Sequence, residues 1–232
     1  MLTIIYLIRH GQASFGQENY DQLSVKGEMQ SKILGQHLSQ IINSTPLVIS
    51  GSMRRHQQTA SLALQQFSQF NMHIDSAWNE FDHQQIFALY NARFANPELI
   101  KKDIATAENP KTFMMEIFTA AMMRWISTEY DHQYTESWCE FKQRVDQALI
   151  NLSQLLNQYP SKHVAIFSSG GVISLVIAKL LNLDFNQTAD LIWKISNASI
   201  TTLKFVDQQF ELLTMNEYHY LEQADEQLAT WV

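Results

Sequence analysis

A short apolar run followed by Arg9-His10-Gly11 constrains this chain more than any other feature. Residues 2–8 are rich in β-branched and aliphatic side chains, which is typical of a buried strand. A parallel strand delivers the residues after it to the carboxyl edge of the sheet, where α/β proteins bind ligands. We therefore expect His10 at a ligand-binding edge, although a histidine after a strand is more often structural. The Arg9 guanidinium can donate two parallel hydrogen bonds to a phosphate, and Gly11 lets the backbone approach a ligand closely.

Composition limits the partners that this chain can have. The 232 residues suffice for one sizeable α/β domain with an insertion, or for two small domains. The formal charge of −7, without long basic runs, argues against binding of nucleic acid or of an anionic membrane. The single cysteine, Cys139, excludes an internal disulfide framework, so we expect a cytoplasmic location. The N-terminal apolar stretch is too short for a membrane span and lacks a basic flank.

Several kinds of site are not suggested by the sequence. No two histidines have the spacing of a helical ligand pair, so a metal site is not predicted. The chain also lacks the glycine loops that bind nucleotides, and no other cofactor is predicted. Residues 168–171, Ser-Ser-Gly-Gly, do not form a Gly-x-Ser-x-Gly nucleophile elbow, which makes a serine hydrolase a poor fit.

The pattern along the chain predicts alternating strands and helices. Predicted strands are residues 2–8, 47–50, 73–74 and 163–168, with a hairpin of 200–205 and 210–213 about Asp207-Gln208. Predicted helices are 21–42, one through Gln58 to Phe70 with Arg54 and Arg55 at its start, 136–159 and 172–181. The residues after the hairpin read as a polar tail.

The alternation stops between about Asp82 and Tyr134, where the chain is rich in aromatic residues and methionine. We interpret residues 82–135 as a helical cap inserted into a single domain of residues 1–232. The expected fold class is a three-layer α/β/α arrangement with a mostly parallel central sheet. The aromatic residues could form a lid for an apolar organic phosphate, but a core of the insertion itself is the simpler explanation.

Four motifs occur in the order found in a known family. They are Arg9-His10-Gly11, then Leu23-Ser24-x-x-Gly27-x-x-Gln30, then residues 55–60 (Arg-His-Gln-Gln-Thr-Ala) and Trp78-Asn79-Glu80. Over nearly the whole chain, this arrangement resembles the phosphoglycerate-mutase-like branch of the histidine phosphatase superfamily. Residues 216–219, Asn-Glu-Tyr-His, are similar to the family's C-terminal Asn-Asp-x-x-His.

This chain does not follow the family pattern at every position. Where the family has a second histidine in a His-Gly-Gly turn, this chain has Ser169. The family's Arg-Ala-x-Gln-Thr-Ala has alanine where this chain has His56. The family's asparagine after the first motif is also missing, with Gly16 at the corresponding point. The first of these departures removes one cation from the expected phosphate site.

The resemblance implies phosphoryl transfer to a ring nitrogen of His10, followed by hydrolysis of the phosphohistidine. Arg9 and Arg55 would stabilise the phosphoryl oxygens, and Glu80 would act as acid and then base, which requires a raised pKa. Gly11 would let the backbone approach the ligand closely, and the Ser169 hydroxyl and the amides of Gly170 and Gly171 would donate hydrogen bonds to it.

Each of these residues also has a plain structural explanation. Arg54 and Arg55 could mark an exposed helix start, although cations there favour a bound anion. Glu80 could be a solvated loop acid, Ser24 a helix cap and Thr59 a local hydrogen-bonding residue. His83 and His56 are both candidates to replace the missing cation, and the sequence argument favours His83.

The predicted function is a metal-independent phosphatase that acts on a small organic phosphomonoester. The alternative is a weakly active or non-catalytic protein that senses a phosphorylated ligand, and a phosphoglycerate mutase is a less favoured third reading. The physiological substrate and the oligomeric state are left open by the sequence.

Overall fold

The computed structural model describes residues 1–14 and 21–231. Gly16, at the position of the family's asparagine, lies outside these residues. The chain divides into two compact units. The first consists of Met1–Glu80 and Val145–Val232, and the second of Phe81–Arg144. Among the described residues, no helix combines the length and apolar character that crossing a bilayer requires.

Six strands in the described part of the chain form one mixed sheet flanked by helices, and the fold is of the α/β class. The strands are β1 (Thr3–Arg9), β2 (Leu47–Ser50), β3 (Met72–Ile74), β4 (His163–Ser168), β5 (Ile200–Val206) and β6 (Gln209–Glu217). Their spatial order is β3-β2-β4-β1-β5-β6. The first four in this order are parallel, and β5 and β6 add an antiparallel hairpin beside β1.

The register of the parallel strands brings three chain segments to the same edge. Arg9 pairs with Ser168, and Ser50 pairs with Phe167 on the other side of β4. The residues that follow β1, β2 and β4 therefore lie side by side. Their strands are largely buried because helices cover the sheet, which explains the nearly continuous apolar runs.

The helices complete the architecture. In chain order they are α1 (Val25–Ile41), α2 (Arg54–Ala63), α3 (His83–Tyr90), α4 (Pro97–Thr106), α5 (Pro110–Ile126), α6 (Trp138–Gln158), α7 (Gly170–Leu181), α8 (Phe185–Lys194) and α9 (His219–Ala224). Ser24 caps α1 by accepting a hydrogen bond from the Gly27 amide at 3.0 Å, as the sequence predicted.

Several features differ from the sequence prediction, including β6, which continues to Glu217 beyond the predicted end at residue 213. Helix α2 ends at Ala63 in a short 3₁₀ turn and does not extend to Phe70. Helix α8 was not predicted, although Asp184 and Gln187 form a capping box at its start. The C-terminal residues are not a polar tail, because Leu228 is buried and the Gln30 side chain donates to its carbonyl oxygen at 2.7 Å.

The second unit contains α3, α4, α5 and the start of α6. Trp125 and Phe141 are almost fully buried there, and Phe81 packs against both rings at centroid distances of 5.0 and 5.4 Å. Met122 is buried as well, whereas Met123 is half exposed. Much of the aromatic and methionine content of this segment therefore forms a core of its own.

Candidate active site

His10 follows the last residue of β1 and is 5% exposed. Its Nε2 accepts a hydrogen bond from Arg55 Nε at 3.2 Å, so Nε2 carries a lone pair. The proton of the neutral ring therefore lies on Nδ1, which donates to the Gly11 carbonyl at 2.7 Å. This arrangement fixes the tautomer and directs a nucleophilic nitrogen toward the guanidinium.

The surroundings of His10 favour the neutral ring. Burial is the main reason that its pKa lies well below the usual value of 6.5, and the charges of Arg55 and Arg9 lower it further. His10 is thus an unprotonated imidazole beside two cations, which is the form that can attack phosphorus.

Arg55 lies in the first turn of α2 and is 4% exposed. Asp21 holds it in place, because Asp21 Oδ1 accepts from Arg55 Nη1 at 2.9 Å and Oδ2 accepts from the Arg54 amide at 2.8 Å. The anion expected at this cationic helix start is thus supplied by the chain itself. Sequence reasoning missed Asp21, since nothing near it in sequence marks a contact with α2. The Arg54 side chain is exposed.

Gly11 lies in close contact with other parts of the chain. Its amide donates to Thr59 Oγ1 at 3.0 Å and not toward an open site, and Thr59 Oγ1 donates to the Arg55 carbonyl at 2.8 Å. A Cβ on Gly11 would lie 2.5 Å from the Gly27 carbonyl oxygen. The missing side chain therefore makes room for α1, and Thr59 ties the His10 turn to α2.

Arg9 lies close to the start of α7. Its Nε and Cζ are 3.6 and 3.7 Å from the position that a Cβ of Gly170 would occupy. Its Nη1 donates to the carbonyl oxygens of Ile195 and Trp231, the latter at 2.9 Å. One guanidinium nitrogen of Arg9 is thus used to hold the C-terminal segment against the site.

Glu80 reaches the same helix start. Its Oε2 accepts a hydrogen bond from the Gly171 amide at 3.0 Å. The loop that carries Glu80 is fixed by Ser168, whose Oγ donates to the Trp78 carbonyl at 2.7 Å. A carboxyl group therefore lies at the N-terminus of α7, one residue beyond Gly170.

Ser169 is fully buried and contacts a residue that the sequence argument did not favour. Its Oγ lies 2.6 Å from Nε2 of His56, which is fully buried in α2. The His56 ring is tilted by 34° to the His10 ring, at a centroid distance of 5.5 Å. Burial and Arg55 place the pKa of His56 well below its usual value. His83, the favoured candidate, belongs to the second unit and packs edge-on against Phe87.

The first unit therefore brings together His10, Arg55, Arg9, Glu80 and Ser169 within a network of short contacts around the carboxyl edge of β1 and β4. The fold and these groups define an α/β protein with a buried imidazole beside two guanidinium groups, which suits an anionic ligand.

The sequence matches a model of a protein family over most of its length. Residues 5–218 match the model of the histidine phosphatase superfamily (branch 1), and the chain belongs to that superfamily.

Solved structures share this fold. A phosphoglycerate mutase from Bacillus anthracis superimposes with a TM-score of 0.64 at 16% identity, covering 96% of each chain. A mutant phosphoserine phosphatase from Entamoeba histolytica, in complex with phosphoserine, has a TM-score of 0.61 at 18% identity, covering 94% of this chain and 99% of its own. The α-ribazole phosphatase from Shigella flexneri has a TM-score of 0.59 at 22% identity, with coverages of 93% and 96%. No curated protein matches the chain.

Proposed function

We propose that this protein is a metal-independent phosphatase that hydrolyses a small organic phosphomonoester through a phosphohistidine on His10. The observation that carries the proposal is the hydrogen bond of 3.2 Å from Arg55 Nε to His10 Nε2. It joins a neutral nucleophile to a permanent cation, although the two residues come from different elements. Phosphoryl transfer depends mainly on positioning and on stabilisation of charge, and this pair supplies both.

In the first step, His10 Nε2 forms a bond to phosphorus while the bond from phosphorus to the ester oxygen breaks. Before attack, Arg55 Nε breaks its hydrogen bond to His10 Nε2 and donates to a phosphoryl oxygen instead, which frees the lone pair of His10 Nε2. Glu80, as a carboxylic acid, transfers its proton to the departing ester oxygen and releases a neutral alcohol. The Gly171 amide holds Oε2, so the proton belongs on Oε1.

In the second step, water attacks the phosphohistidine. The Glu80 carboxylate takes one proton from that water, the new oxygen bonds to phosphorus, and the bond from phosphorus to Nε2 breaks. Inorganic phosphate leaves, and the ring returns to the neutral tautomer that the Gly11 carbonyl favours. Glu80 ends protonated and is ready for another cycle.

Phosphate release from 4-nitrophenyl phosphate at mildly acidic pH, in the presence of a chelator, tests the proposal. We expect turnover by the pure protein and its loss in His10→Ala. Turnover that is unchanged in His10→Ala would overturn the assignment of the nucleophile. Conversion of 3-phosphoglycerate to 2-phosphoglycerate at a higher rate than phosphate release would indicate a mutase instead.

A phosphate-sensing protein is the second candidate, and a specific observation favours it. Two groups that could donate hydrogen bonds to a phosphate already donate to carboxylates of the chain. Arg55 pairs with Asp21, and the Gly171 amide donates to Glu80. A sensor would bind phosphate esters, as measured by calorimetry, without releasing phosphate from any of a broad panel. Turnover that depends on His10 would exclude this alternative.

A further inference from the structure

The contact between His56 and Ser169 links two parts of the chain at the centre of the site. The two residues are 113 positions apart, both are fully buried, and the His56 Nε2 atom lies 2.6 Å from Ser169 Oγ. Ser169 follows β4, and the His10 amide donates to the Ser168 carbonyl at 2.9 Å. The serine therefore lies beside the proposed nucleophile, one strand away.

The backbone around His56 is shaped for its ring. A Cβ on Gly51, the residue after β2, would lie 2.2 Å from His56 Nδ1. Any side chain there would force the imidazole to move. The absence of a side chain at Gly51 thus lets the ring reach Ser169.

Hydrogen bonding indicates which nitrogen of His56 carries the proton. Within residues 1–14 and 21–231, Nδ1 is buried and has no hydrogen-bond partner. A proton on Nδ1 would be a buried donor without an acceptor, which is costly. With the proton on Nε2, the ring donates to Ser169 Oγ. The serine hydroxyl then directs its own proton to another acceptor.

We propose that His56 and Ser169 act as one unit in phosphoryl transfer, in which His56 Nε2–H donates to Ser169 Oγ and the Ser169 hydroxyl donates to a phosphoryl oxygen. This inference rests on the proposed function. Consecutive hydrogen bonds polarise one another, so the hydroxyl is a stronger donor than an isolated serine. Ser169 touches the phosphoryl group, and His56 is a positioning residue.

The motif resemblance adds a second argument for the pair. The family's motifs have alanine at the position of His56 and histidine at the position of Ser169. By that resemblance, the large and the small side chain are exchanged across one contact in this chain, and the imidazole comes from α2 instead of from the residue after β4. A histidine at position 169 alone would collide with His56, since its Cβ would carry a ring into a space already filled.

A set of four variants tests the pair. We expect His56→Ala and Ser169→Ala each to lower kcat/KM for an aryl phosphate about 100-fold, the lower end of the usual effect of removing one stabilising donor. We expect Ser169→His alone to lower it too. The double variant His56→Ala/Ser169→His restores the family arrangement and should recover activity to within about 5-fold of the wild type. Ser174→Ala is the matched control, because Ser174 is equally buried in α7 and unassigned in the reaction.

Binding of orthovanadate separates a role in the reaction from a role in folding. We expect the Kd of vanadate, measured by calorimetry, to rise in His56→Ala and Ser169→Ala and to return in the double variant, while His56→Gln, which keeps an N–H donor, retains more affinity than His56→Ala. The proposal that the two residues act as a pair would be overturned by unchanged vanadate affinity in the two alanine variants. A folded double variant with a kcat/KM and a vanadate affinity no higher than those of Ser169→His would overturn it as well. Vanadate binding does not require turnover. An inactive wild type would therefore count against the phosphatase proposal alone, while the affinities for vanadate would still test the pair.

Discussion

At the scale of single residues, the site depends on how Arg55 is held. Its Nη1 pairs with Asp21 at 2.9 Å, which leaves Nε directed at His10. The guanidinium thus connects the proposed nucleophile to the Asp21 carboxylate, and its planar shape allows both contacts at once. A lysine carries the same charge, but its single nitrogen cannot take the positions of both Nε and Nη1.

We therefore predict that Arg55→Lys lowers kcat/KM for an aryl phosphate about 100-fold, the cost of losing one well-placed donor. Steady-state kinetics would measure this change. Arg54→Lys is the neighbouring control and should leave kcat/KM unchanged, because the Arg54 side chain is exposed. Equal effects of the two substitutions would show that the charge of this helix start matters and the geometry of Arg55 does not.

At the scale of elements, the position of α1 sets the position of the His10 turn. Small residues Gly27, Ser31 and Gly35 lie on its buried face. A Cβ on Gly27 would lie 2.1 Å from the Gln12 carbonyl oxygen, and one on Gly35 would lie 2.3 Å from the Ala63 carbonyl oxygen. Helix α1 thus approaches both the His10 turn and α2 with backbone against backbone.

The Gly35→Ala variant should destabilise the protein, although alanine favours helix formation by about 1 kcal/mol. The overlap with the Ala63 carbonyl displaces α1 from α2, and we expect a net loss of about 1–3 kcal/mol in the free energy of unfolding, measured in urea. Lys32→Ala, at an exposed position of the same helix, should change it by less than about 0.5 kcal/mol. A stabilised Gly35→Ala variant would mean that the close approach is not needed.

The sequence predicted the strands well because their apolar runs are bounded by clear turn residues. The hairpin about Asp207-Gln208 was found without its turn type, and positive φ angles of 49° and 63° at the two residues now identify a type I′ turn. The end of α2 and the existence of α8 were missed, since tertiary packing decides both.

The site was predicted in part for a similar reason. His10 and Arg55 belong to motifs, and the strand order brings those motifs together. The contact between His56 and Ser169, the Asp21 carboxylate and the packing of the C-terminal segment join residues distant in sequence. No local pattern reports such contacts, so the sequence alone could not single out His56.

At the scale of the whole molecule, the site costs stability at low pH. His10 and His56 are buried and neutral, with folded-state pKa values depressed below the unfolded value of 6.5. Below pH 6.5 the unfolded chain binds protons at these rings and the folded chain does not. The free energy of unfolding therefore falls as pH drops, by up to about 1.4 kcal/mol for each histidine and pH unit.

Urea unfolding between pH 7.0 and 5.5 measures this effect. In His56→Gln one of these two buried rings is gone, so stability should fall less steeply with decreasing pH than in the wild type. The full stability of the wild type is expected above pH 6.5. Identical slopes in the two proteins would show that His56 is not held neutral in the folded state.

The central claim is that Nε2 of His10 accepts the phosphoryl group, and mapping of the covalent intermediate tests it most directly. The protein would be mixed with an aryl phosphate, quenched in alkali, digested and examined by mass spectrometry and ³¹P NMR. The account predicts an acid-labile, alkali-stable phosphate on His10, attached at Nε2, and none in His10→Ala. An acid-stable phosphate on Ser169, or turnover without any phosphorylated histidine, would contradict it.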